Sequence, residues 1–389
     1  MNAAALLLTA GATTWAAVYT MISGVALARA ARRGLAPGPT QASDVLLVRP
    51  CTGDDATLEP ALRSTASLKH RGSLQVLFTV DSPADPAWPI VRRAASWLRE
   101  RGVCADAVVA PTFAYNRKVG QLAEVTRLAD ADIVMCVDAD VDLSGFDLDV
   151  FVTPLRTGTV GAVWAPPVEV GALEGWGDRA SAAVLGASMH AFSLLGELDE
   201  GGLVGKTFAV RTEALHQVGG FDGLTEHLGE DMELAKRLRA RGWPTAMRRM
   251  PVRAMATGRS LEATLARYTR WLWVIRAQRP SLLASYPLLL AAAPLLLALL
   301  LVLSTLAPAW ALGLGALVMV TRVGVAVGAA IPRGRVVAAA SYEWLLADIV
   351  LLIAFVRALG RPEVTWRGRT LRLGDGGRLA ALEPSPDGA

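Results

Sequence analysis

The chain has 389 residues, of which 53% are hydrophobic and 19% are charged, and its formal net charge is +4. This composition is too apolar for an ordinary soluble enzyme, yet it contains far more polar sequence than a simple membrane channel. The positive charge comes largely from arginines beside apolar segments, and no basic stripe interleaved with aromatic residues resembles a nucleic-acid platform. We therefore expect one polar domain with membrane segments, and a membrane surface rather than nucleic acid as a partner.

The first apolar segment runs from Ala3 to about Ala30 and ends among Arg29, Arg32 and Arg33. Its length of about 25 residues is sufficient to cross a bilayer, and it lacks the short core and cleavage site of a signal peptide. Residues 1–33 are therefore predicted to be a retained transmembrane anchor. The glycines and prolines of residues 34–43 predict a linker to the next domain.

In residues 44–259, apolar strand-like runs alternate with amphipathic helical stretches, which predicts an α/β domain with a largely parallel sheet. The predicted strands are Val45–Val48, Leu74–Val80, Ala107–Val109, Ile133–Val137 and Val160–Trp164, and the predicted helices include Pro86–Arg101 and Lys118–Leu128. Ligands of such sheets bind at the carboxyl ends of the strands. Asp81, Asp138 and Asp140 fall at such ends and are therefore candidate site residues.

The triplet Asp138-Ala139-Asp140 follows a fully apolar strand. A hard cation that bridges a diphosphate needs carboxylates in this position. Taken alone, such a triplet is more often a turn or a cap, so the functional interpretation depends on the strand before it and on the motifs that follow. On that basis we predict that Asp138 and Asp140 hold Mn²⁺ or Mg²⁺.

Three further residues are candidates for binding a nucleotide donor. Asp81 and Asp85 lie after the strand Leu74–Val80, where a carboxylate can accept hydrogen bonds from a base or a ribose. Asp85 could equally cap the helix that begins at Pro86. Lys118 could neutralise a phosphate or could be an ordinary surface lysine, and both alternatives stay open.

Glu230 and Asp231 begin a helix in which Leu234 and Leu238 face inward. Carboxylates in a first turn commonly do no more than compensate the helix dipole. An inverting displacement at a sugar carbon, however, needs a carboxylate that takes the proton of the acceptor, and Asp231 is the best-placed candidate.

Residues 260–280 have the pattern of an amphipathic helix that lies on a membrane, with Trp271 as an interfacial anchor. Arg267 and Arg270 are on or near its polar side. They could simply face lipid headgroups. Alternatively, Arg270 could hold a departing pyrophosphate, because the planar guanidinium group matches that ligand.

Residues 281–331 are long enough for a transmembrane hairpin. Residues 332–360 are predicted to be an interfacial, re-entrant or transmembrane helix, because Glu343 and Asp348 interrupt an apolar run. The first two alternatives are favoured, since a further span would place the basic tail, residues 361–389, outside. We expect that tail to be cytoplasmic and to be disordered after Gly374.

The cysteines and histidines suggest no further chemistry. Cys51, Cys104 and Cys136 are odd in number and lie in apolar or strand-like contexts, which favours a reducing compartment without disulfides. His190 lies in a mostly apolar stretch, where a core or interface histidine is expected more often than a catalytic one.

Taken in order, these motifs resemble the ceramide glucosyltransferase-like branch of the family 2-type glycosyltransferases, known as family 21, over roughly residues 44–279. The resemblance implies a GT-A fold, a nucleotide-diphospho-sugar transferase domain with a mostly parallel central sheet, together with N-terminal and C-terminal transmembrane helices. In this chain Asp85 looks like the early aspartate, Asp138 and Asp140 like the metal motif, and Asp231 like the general base. The terminal signature looks like Arg267, Arg270 and Trp271.

Three details refine the resemblance. Animal members lack the second aspartate of the metal motif, so the resemblance supports Asp138 more strongly than Asp140. Arginine at position 267, where polysaccharide synthases have glutamine, is more similar to ceramide glucosyltransferases. The segment Val364–Arg369 is similar to bacterial members, including hopanoid-associated ones.

The resemblance implies inverting, metal-dependent transfer of a hexose from a UDP-sugar, with UDP-glucose expected first, to the hydroxyl of a membrane lipid, with ceramide expected first. A hopanoid or another lipid alcohol is an alternative acceptor. A processive polysaccharide synthase and a catalytically inactive membrane scaffold are the alternative classes. The expected location is a multi-pass protein of a bacterial inner membrane with a cytoplasmic catalytic domain.

Overall fold

The computed structural model describes residues 3–32, 42–127, 129–199, 201–255, 257–366 and 369–381. Residues 34–41 of the predicted linker and residues 382–389 of the predicted tail lie outside the described residues. The chain divides into two compact units. We call residues 34–171, 199–257 and 362–389 the α/β unit, and residues 1–33, 172–198 and 258–361 the helical unit.

The strands all belong to the α/β unit. In chain order they are β1 Val45–Pro50, β2 Leu74–Val80, β3 Cys104–Val109, β4 Ile133–Val137, β5 Val141–Asp142, β6 Ala162–Trp164, β7 Pro167–Glu169, β8 Thr207–Arg211, β9 Thr245–Met247, β10 Val252–Ala254, β11 Glu363–Trp366, β12 Arg369–Leu373 and β13 Leu379–Ala381. They form a seven-stranded sheet in the order β3-β2-β1-β4-β8-β6-β9 and two three-stranded sheets, β5-β10-β7 and β11-β12-β13.

The helices are distributed over both units. Those of the α/β unit are α2 Leu58–Arg63, α3 Ala87–Arg99, α4 Arg117–Thr126, α5 Leu148–Thr157, α8 Thr212–Gln217 and α9 Glu230–Ala240. Those of the helical unit are α1 Ala3–Ala30, α6 Trp176–Gly186, α7 Phe192–Leu198, α10 Leu261–Gln278, α11 Pro280–Leu289, α12 Ala292–Leu303, α13 Pro308–Ala330, α14 Val336–Ala338 and α15 Trp344–Ala358.

The mostly parallel sheet predicted from the sequence is confirmed. β1 pairs in parallel with β2 and β4, and β2 pairs in parallel with β3. All five residues of β4 are buried, as expected for a central strand covered on both faces. β8 is the exception, because it runs antiparallel to both β4 and β6. The predicted bounds of β2 and β4 agree with the structure, whereas β3 begins earlier and β6 later than predicted.

The helix boundaries follow from local capping chemistry. The Asn116 side chain accepts a hydrogen bond from the Val119 amide at the start of α4, over 3.3 Å, and Ser260 caps α10 in the same way through the Ala263 amide. α9 begins at Glu230, and its N-cap residue, Gly229, provides no such side-chain cap. Its first turn instead carries three carboxylates, Glu230, Asp231 and Glu233, which the helix dipole stabilises.

Among the described residues, three helical segments are long and apolar enough to cross a membrane: Ala5–Ala30, Pro308–Arg333 and Val336–Ala358. α11 and α12 pass the same test only as a pair, and they are bent by 47° at the break between them. Such a pair is either a broken span or a re-entrant loop. The segment Val336–Ala358 therefore has the length of a span, although its sequence favoured an interfacial or re-entrant helix.

The helical unit contains a buried ion pair between two of these segments. Arg322 of α13 donates through Nε and Nη2 to both carboxylate oxygens of Asp348 of α15, at 2.8–3.2 Å. Its remaining hydrogen bonds go to the carbonyl oxygens of Ala187 and Trp344. Two charges in an apolar environment are tolerated because each satisfies the other.

The predicted domain boundaries are corrected at residues 172–198. This segment was expected within the 44–259 domain, but it belongs to the helical unit. The reason is the apolar face of α6, where Ala180, Ala183 and Val184 share one core with Leu265 and Tyr268 of α10.

The C-terminal boundary is corrected as well. Residues 361–389 were expected to be a tail that is disordered after Gly374, yet β11–β13 form there within the α/β unit, in the described residues 363–366 and 369–381. The Leu228 amide donates to the Gly377 carbonyl and the Leu379 amide donates to the Glu226 carbonyl. Gly376 and Gly377 have φ values of 68° and 81°, a left-handed conformation that favours glycine in a tight turn.

Candidate active site

The backbone of the Asp138-Ala139-Asp140 turn is held by a buried arginine. Arg49, at the end of β1, donates through Nη2 to the carbonyl oxygens of Asp138 and Ala139 over 3.2 Å, and to that of Val141 over 2.6 Å. Burial lowers the pKa of Arg49 to about 10, so the group stays charged at neutral pH. This guanidinium fixes the turn in place and leaves both carboxylates on the side of a cavity.

Two lysines contact these carboxylates. The Lys118 Nζ atom lies 2.8 Å from Asp138 Oδ1 and 3.2 Å from Glu230 Oε1. The Lys206 Nζ atom lies 2.5 Å from Asp140 Oδ1 and 3.3 Å from Asp138 Oδ2. Lys118 also donates to the carbonyl oxygen of Gly205 over 2.9 Å. Burial lowers the pKa of Lys118, but the nearby carboxylates of Asp138 and Glu230 raise it by more, so this lysine keeps its positive charge.

Asp231 lies in the first turn of α9 and is positioned by two backbone amides. Gly205 donates to its Oδ2 over 2.7 Å, and Met232 donates to its Oδ1 over 2.8 Å. Burial and the adjacent charge of Glu230 raise the pKa of Asp231 to about 6. A carboxylate with this pKa is ionised at neutral pH and is a stronger base than an ordinary aspartate, which suits it to general-base catalysis.

The two other predicted donor-binding carboxylates have protein partners. Asp81 accepts a hydrogen bond from Arg117 over 2.6 Å. Asp85 accepts from the Thr52 hydroxyl, the Gly53 amide and the Ala87 amide at 2.7–2.9 Å. Asp85 therefore links the loop after β1 to the first residue of α3, although the N-cap residue of that helix is Pro86 and not Asp85. A role of either residue in donor binding stays a prediction.

A cavity of about 310 Å³ lies beside the metal motif. Its lining includes the polar groups of Asp138, Asp140, Lys118, Lys206 and Gln121, together with apolar atoms from the loop after β1. Three aspartates, Asp55, Asp138 and Asp140, and two lysines thus line one cavity. The arrangement suits a ligand that carries both a cation and a phosphate group.

The donor set of this turn fits a hard divalent cation. Among the described residues no group of three or more histidine, cysteine, aspartate or glutamate side chains could enclose a metal. Mg²⁺ and Mn²⁺ need no such cage when a diphosphate supplies further oxygens, since one or two carboxylates then suffice. The Lys206 ammonium group already contacts both carboxylates, which shows that the position accepts a positive charge.

The terminal signature lies on α10 in the helical unit. Arg267 donates to the Ser181 hydroxyl over 2.9 Å, and its guanidinium carbon lies 4.8 Å from the centre of the Trp271 ring. Such cation–π contact stabilises the ring and the charge together. Arg270 is on the same helix, and its predicted part in holding a pyrophosphate stays a prediction.

His190 is packed among the aromatic residues of this unit, as its sequence context predicts. Its ring stacks on Trp271 at 5.9 Å and meets Tyr268 and Tyr286 edge-on. Burial, with the nearby charge of Arg267, lowers the pKa of His190 to about 4. The imidazole is therefore neutral at physiological pH.

Sequence reasoning missed Gly205 and Lys206. Lys206 directly precedes β8, and Asp138 donates through its amide to the Lys206 carbonyl over 2.9 Å. The apolar run Phe208–Val210, between Thr207 and Arg211, was a usable signal for a strand. Its antiparallel pairing with β4 was not visible in that local pattern.

The fold and this constellation define a glycosyltransferase of the GT-A class. The sequence profile described as "Glycosyl transferase family 21" matches residues 9–379. The chain belongs to glycosyl transferase family 21.

Two solved structures are similar to this chain, and the first of them supports the fold. A mannosyltransferase from Pyrobaculum calidifontis, solved with GDP-Man and Mn²⁺, is 20% identical with a TM-score of 0.53, and the match covers 91% of this chain and 97% of that one. Glucosyl-3-phosphoglycerate synthase from Mycobacterium tuberculosis, solved with Mn²⁺, UDP and glucosyl-3-phosphoglycerate, is 18% identical with a TM-score of 0.36, over 57% of this chain and 74% of that one. A search of curated proteins found no match.

Proposed function

We propose that this glycosyltransferase transfers a hexose, with inversion, from a UDP-sugar to the hydroxyl of a membrane lipid in a metal-dependent reaction. UDP-glucose is the donor and ceramide the acceptor that we expect first. The observation that carries the proposal is one connected network, in which Lys118 contacts Asp138, Glu230 and the Gly205 carbonyl, while the Gly205 amide binds Asp231. A site for a charged diphosphate and a general base are thereby held together.

The residues divide the chemistry between them. Asp231 accepts the proton of the acceptor hydroxyl as the oxygen attacks the anomeric carbon, and the bond from that carbon to the diphosphate breaks with its electron pair on the leaving group. Asp138 and Asp140 would hold Mn²⁺ or Mg²⁺, which supplies charge stabilisation to the diphosphate. Lys118 stabilises the same charge from the other side of Asp138.

The terminal signature completes this proposal. Arg270 would hold the departing diphosphate with its planar fork, and Arg267 and Trp271 would support it on α10. The donor-binding roles of Asp81, Asp85 and Lys118 belong to the same proposal. The neighbour solved with GDP-Man is a reason to include GDP-mannose among the donors tested.

The direct test is a nucleotide-release assay on the detergent-purified protein with Mn²⁺ or Mg²⁺. UDP-glucose, UDP-galactose, UDP-N-acetylglucosamine and GDP-mannose are each combined with ceramide, a hopanoid polyol and a polyprenol. We expect lipid-dependent release that Asp231→Asn abolishes while UDP still binds. Asp106→Asn, an exposed aspartate of β3, is the matched control. Full activity of Asp231→Asn would contradict the base assignment.

We also propose a cytoplasmic catalytic unit in a bacterial inner membrane. β11–β13 hydrogen bond to Glu226 and Leu228 of the same unit, so the chain leaves and re-enters that unit on one side of the membrane. Residues 258–361 must then cross an even number of times. The arginines at 276, 279, 333 and 335 favour two crossings, by α11–α12 and by α13. Val336–Ala358 would then return without crossing.

Cysteine labelling tests this topology. In a background without the native cysteines, an impermeant maleimide is added to intact spheroplasts. Thr305→Cys, between α12 and α13, should be labelled, whereas Asp375→Cys in the C-terminal sheet should be labelled only after lysis. External labelling at position 375 would contradict the proposal.

A further inference from the structure

We propose that Lys206 is an internal counterion that occupies the cation position between Asp138 and Asp140 and yields it to a divalent metal more readily when a nucleotide diphosphate binds. The inference rests on the proposed metal-dependent function and goes beyond it, because it assigns the order of binding to one side chain. Metal and nucleotide would accordingly bind with positive cooperativity, and Lys206 would be the origin of much of it.

The geometry of Lys206 carries this inference. Its Nζ atom lies 2.5 and 2.8 Å from the two carboxylate oxygens of Asp140 and 3.3 Å from Oδ2 of Asp138. One ammonium group thus bridges the two carboxylates that a metal would need. The singly charged ammonium group of Lys206 therefore occupies the position at which the proposed function places a divalent metal ion.

The backbone of Lys206 is fixed, so only its side chain can leave. The Asp138 amide donates to the Lys206 carbonyl over 2.9 Å, and the next residue, Thr207, pairs with Val137 in the antiparallel ladder. The side chain ends on a flexible four-carbon stem and lines the cavity. It can therefore turn from the carboxylates towards a ligand in that cavity without any change in the strand.

Lys118 differs from Lys206 in a way that makes Lys206 the mobile group. Lys118 is held by Asp138, by Glu230 and by the Gly205 carbonyl. In the described part of the chain, the Lys206 ammonium contacts only Asp138 and Asp140. A metal that takes these two carboxylates removes every partner of Lys206 but leaves Lys118 with two.

The energetic consequence depends on the nucleotide. Without it, a metal must displace a lysine whose ion-pair partners in the described part of the chain are the two carboxylates that the metal takes, and the displaced charge stays close to the metal and repels it. A diphosphate supplies anionic oxygens for both the metal and the displaced lysine. Each ligand then raises the affinity for the other, and this coupling is reciprocal.

Mn²⁺ binding measured by the electron paramagnetic resonance signal of free Mn²⁺ tests the inference without any turnover. The purified full-length protein is titrated with and without UDP. For the unaltered protein we expect weak binding alone and at least tenfold tighter binding with UDP. Lys206→Met should bind Mn²⁺ at least tenfold more tightly without UDP, and UDP should add correspondingly less. Lys206→Arg keeps the charge and should retain weak binding without UDP.

The control is Lys236→Met, which removes an exposed lysine of α9 that pairs with Glu233 and should leave both affinities unchanged. Thermal unfolding establishes that each variant is folded. If Lys206→Met does not fold, the Mn²⁺ affinity of Lys206→Arg provides a second measurement. Unchanged UDP-free affinity and unchanged coupling in Lys206→Met would overturn the role of Lys206 while leaving the metal site intact. Absence of Mn²⁺ binding even with UDP would overturn the metal-dependent function itself.

Discussion

The backbone amide of Gly205 donates a hydrogen bond to the Asp231 carboxylate over 2.7 Å. This contact joins the segment before β8 to the first turn of α9, two elements that are far apart in the chain. The carbonyl of the same glycine accepts from Lys118. One residue without a side chain therefore positions the proposed base and a lysine of the proposed diphosphate site.

Gly205→Ala should lower the turnover rate without changing UDP affinity. An added Cβ would lie 3.2 Å from Asp231 Oδ2 and 3.2 Å from Glu230 Oε1, so the carboxylates must shift by a few tenths of an ångström. Misplacement on this scale costs roughly tenfold in rate. Gly158→Ala, whose added atom meets only a carbonyl oxygen at 3.8 Å, is the control for steady-state kinetics. Equal rates for both variants would show that the base tolerates the shift.

The rate should fall in acid with a midpoint near pH 6. Burial and Glu230 raise the pKa of Asp231 to about 6, against the opposing effect of Lys118 and of the amides of Gly205 and Met232. Below that pH the carboxyl is protonated and cannot accept a proton from the acceptor. A pH profile of kcat/KM for the lipid acceptor measures the midpoint. A midpoint close to 4, the ordinary value for aspartate, would contradict the assignment.

The raised pKa of Asp231 also predicts how the stability of the fold depends on pH. Stability should fall as the pH rises through about 6, whereas activity should increase. A raised pKa means that the folded state binds the Asp231 proton more tightly than the unfolded chain does. The stabilisation is therefore present in acid and is lost as the pH rises through about 6. Asp231→Asn should unfold at the same or a higher temperature than the unaltered protein at pH 7.5, although it is inactive. A markedly lower unfolding temperature would show that the charge itself supports the fold.

Removal of divalent cations should stop transfer, and Mn²⁺ or Mg²⁺ should restore it. Asp138→Asn should lose more activity than Asp140→Asn, because Asp138 contacts both Lys118 and Lys206, whereas Asp140 contacts Lys206 alone among the two lysines. Loss of one group that stabilises developing charge costs about 10²- to 10³-fold in rate. Undiminished turnover after chelation would remove both aspartates from the metal role.

Arg267 and Arg270 should respond differently to substitution. Arg267 donates to Ser181 and lies over Trp271 within the helical unit, so Arg267→Ala should lower the unfolding temperature through a loss of about 1 kcal/mol. Arg270→Lys keeps the charge but loses the planar fork, and it should weaken product inhibition by UDP. Inhibition constants for UDP separate the two effects. Unchanged UDP inhibition in Arg270→Lys would contradict the proposed role of Arg270 in holding the diphosphate.

Substitution of one partner of the Arg322–Asp348 pair should destabilise the helical unit more than substitution of both partners. Arg322→Leu leaves a buried carboxylate alone, which costs about 3–5 kcal/mol, whereas replacing both partners by apolar residues can be neutral. Thermal unfolding of Arg322→Leu, Asp348→Leu and the double variant in detergent measures the difference. Additive losses in the double variant would show that the two charges do not depend on each other.

Much of the α/β unit could be predicted because its strands are short, continuous apolar runs. Leu74–Val80 and Ile133–Val137 agree with β2 and β4, and the chain direction then places Asp138 at a carboxyl end. Asp231 could be predicted for a similar reason, since an acidic first turn after Gly229 indicates a helix start. Each of these features is determined by residues that are close together in the chain, so the local sequence is sufficient to predict it.

The C-terminal sheet and the place of residues 172–198 could not be predicted in this way. Among the side chains that the structure describes, each strand of the C-terminal sheet contributes one or two buried apolar residues, among them Val364, Leu371 and Leu379, so the pattern is too short to distinguish it from a tail. The helix α6 is buried along most of its length, and its sequence does not say which apolar surfaces cover it. Only the packing of the whole chain assigns its face to α10.

The sequence by itself determined the family, the apolar helices long enough to cross a membrane and the two acidic motifs, because each is a local pattern of apolar and charged residues. The tertiary structure alone decided that Lys206 lies against Asp140, a residue 66 positions away in the chain. That contact depends on β8 pairing antiparallel to β4. Long-range pairing is set by the free energy of the complete fold, and no local periodicity encodes it.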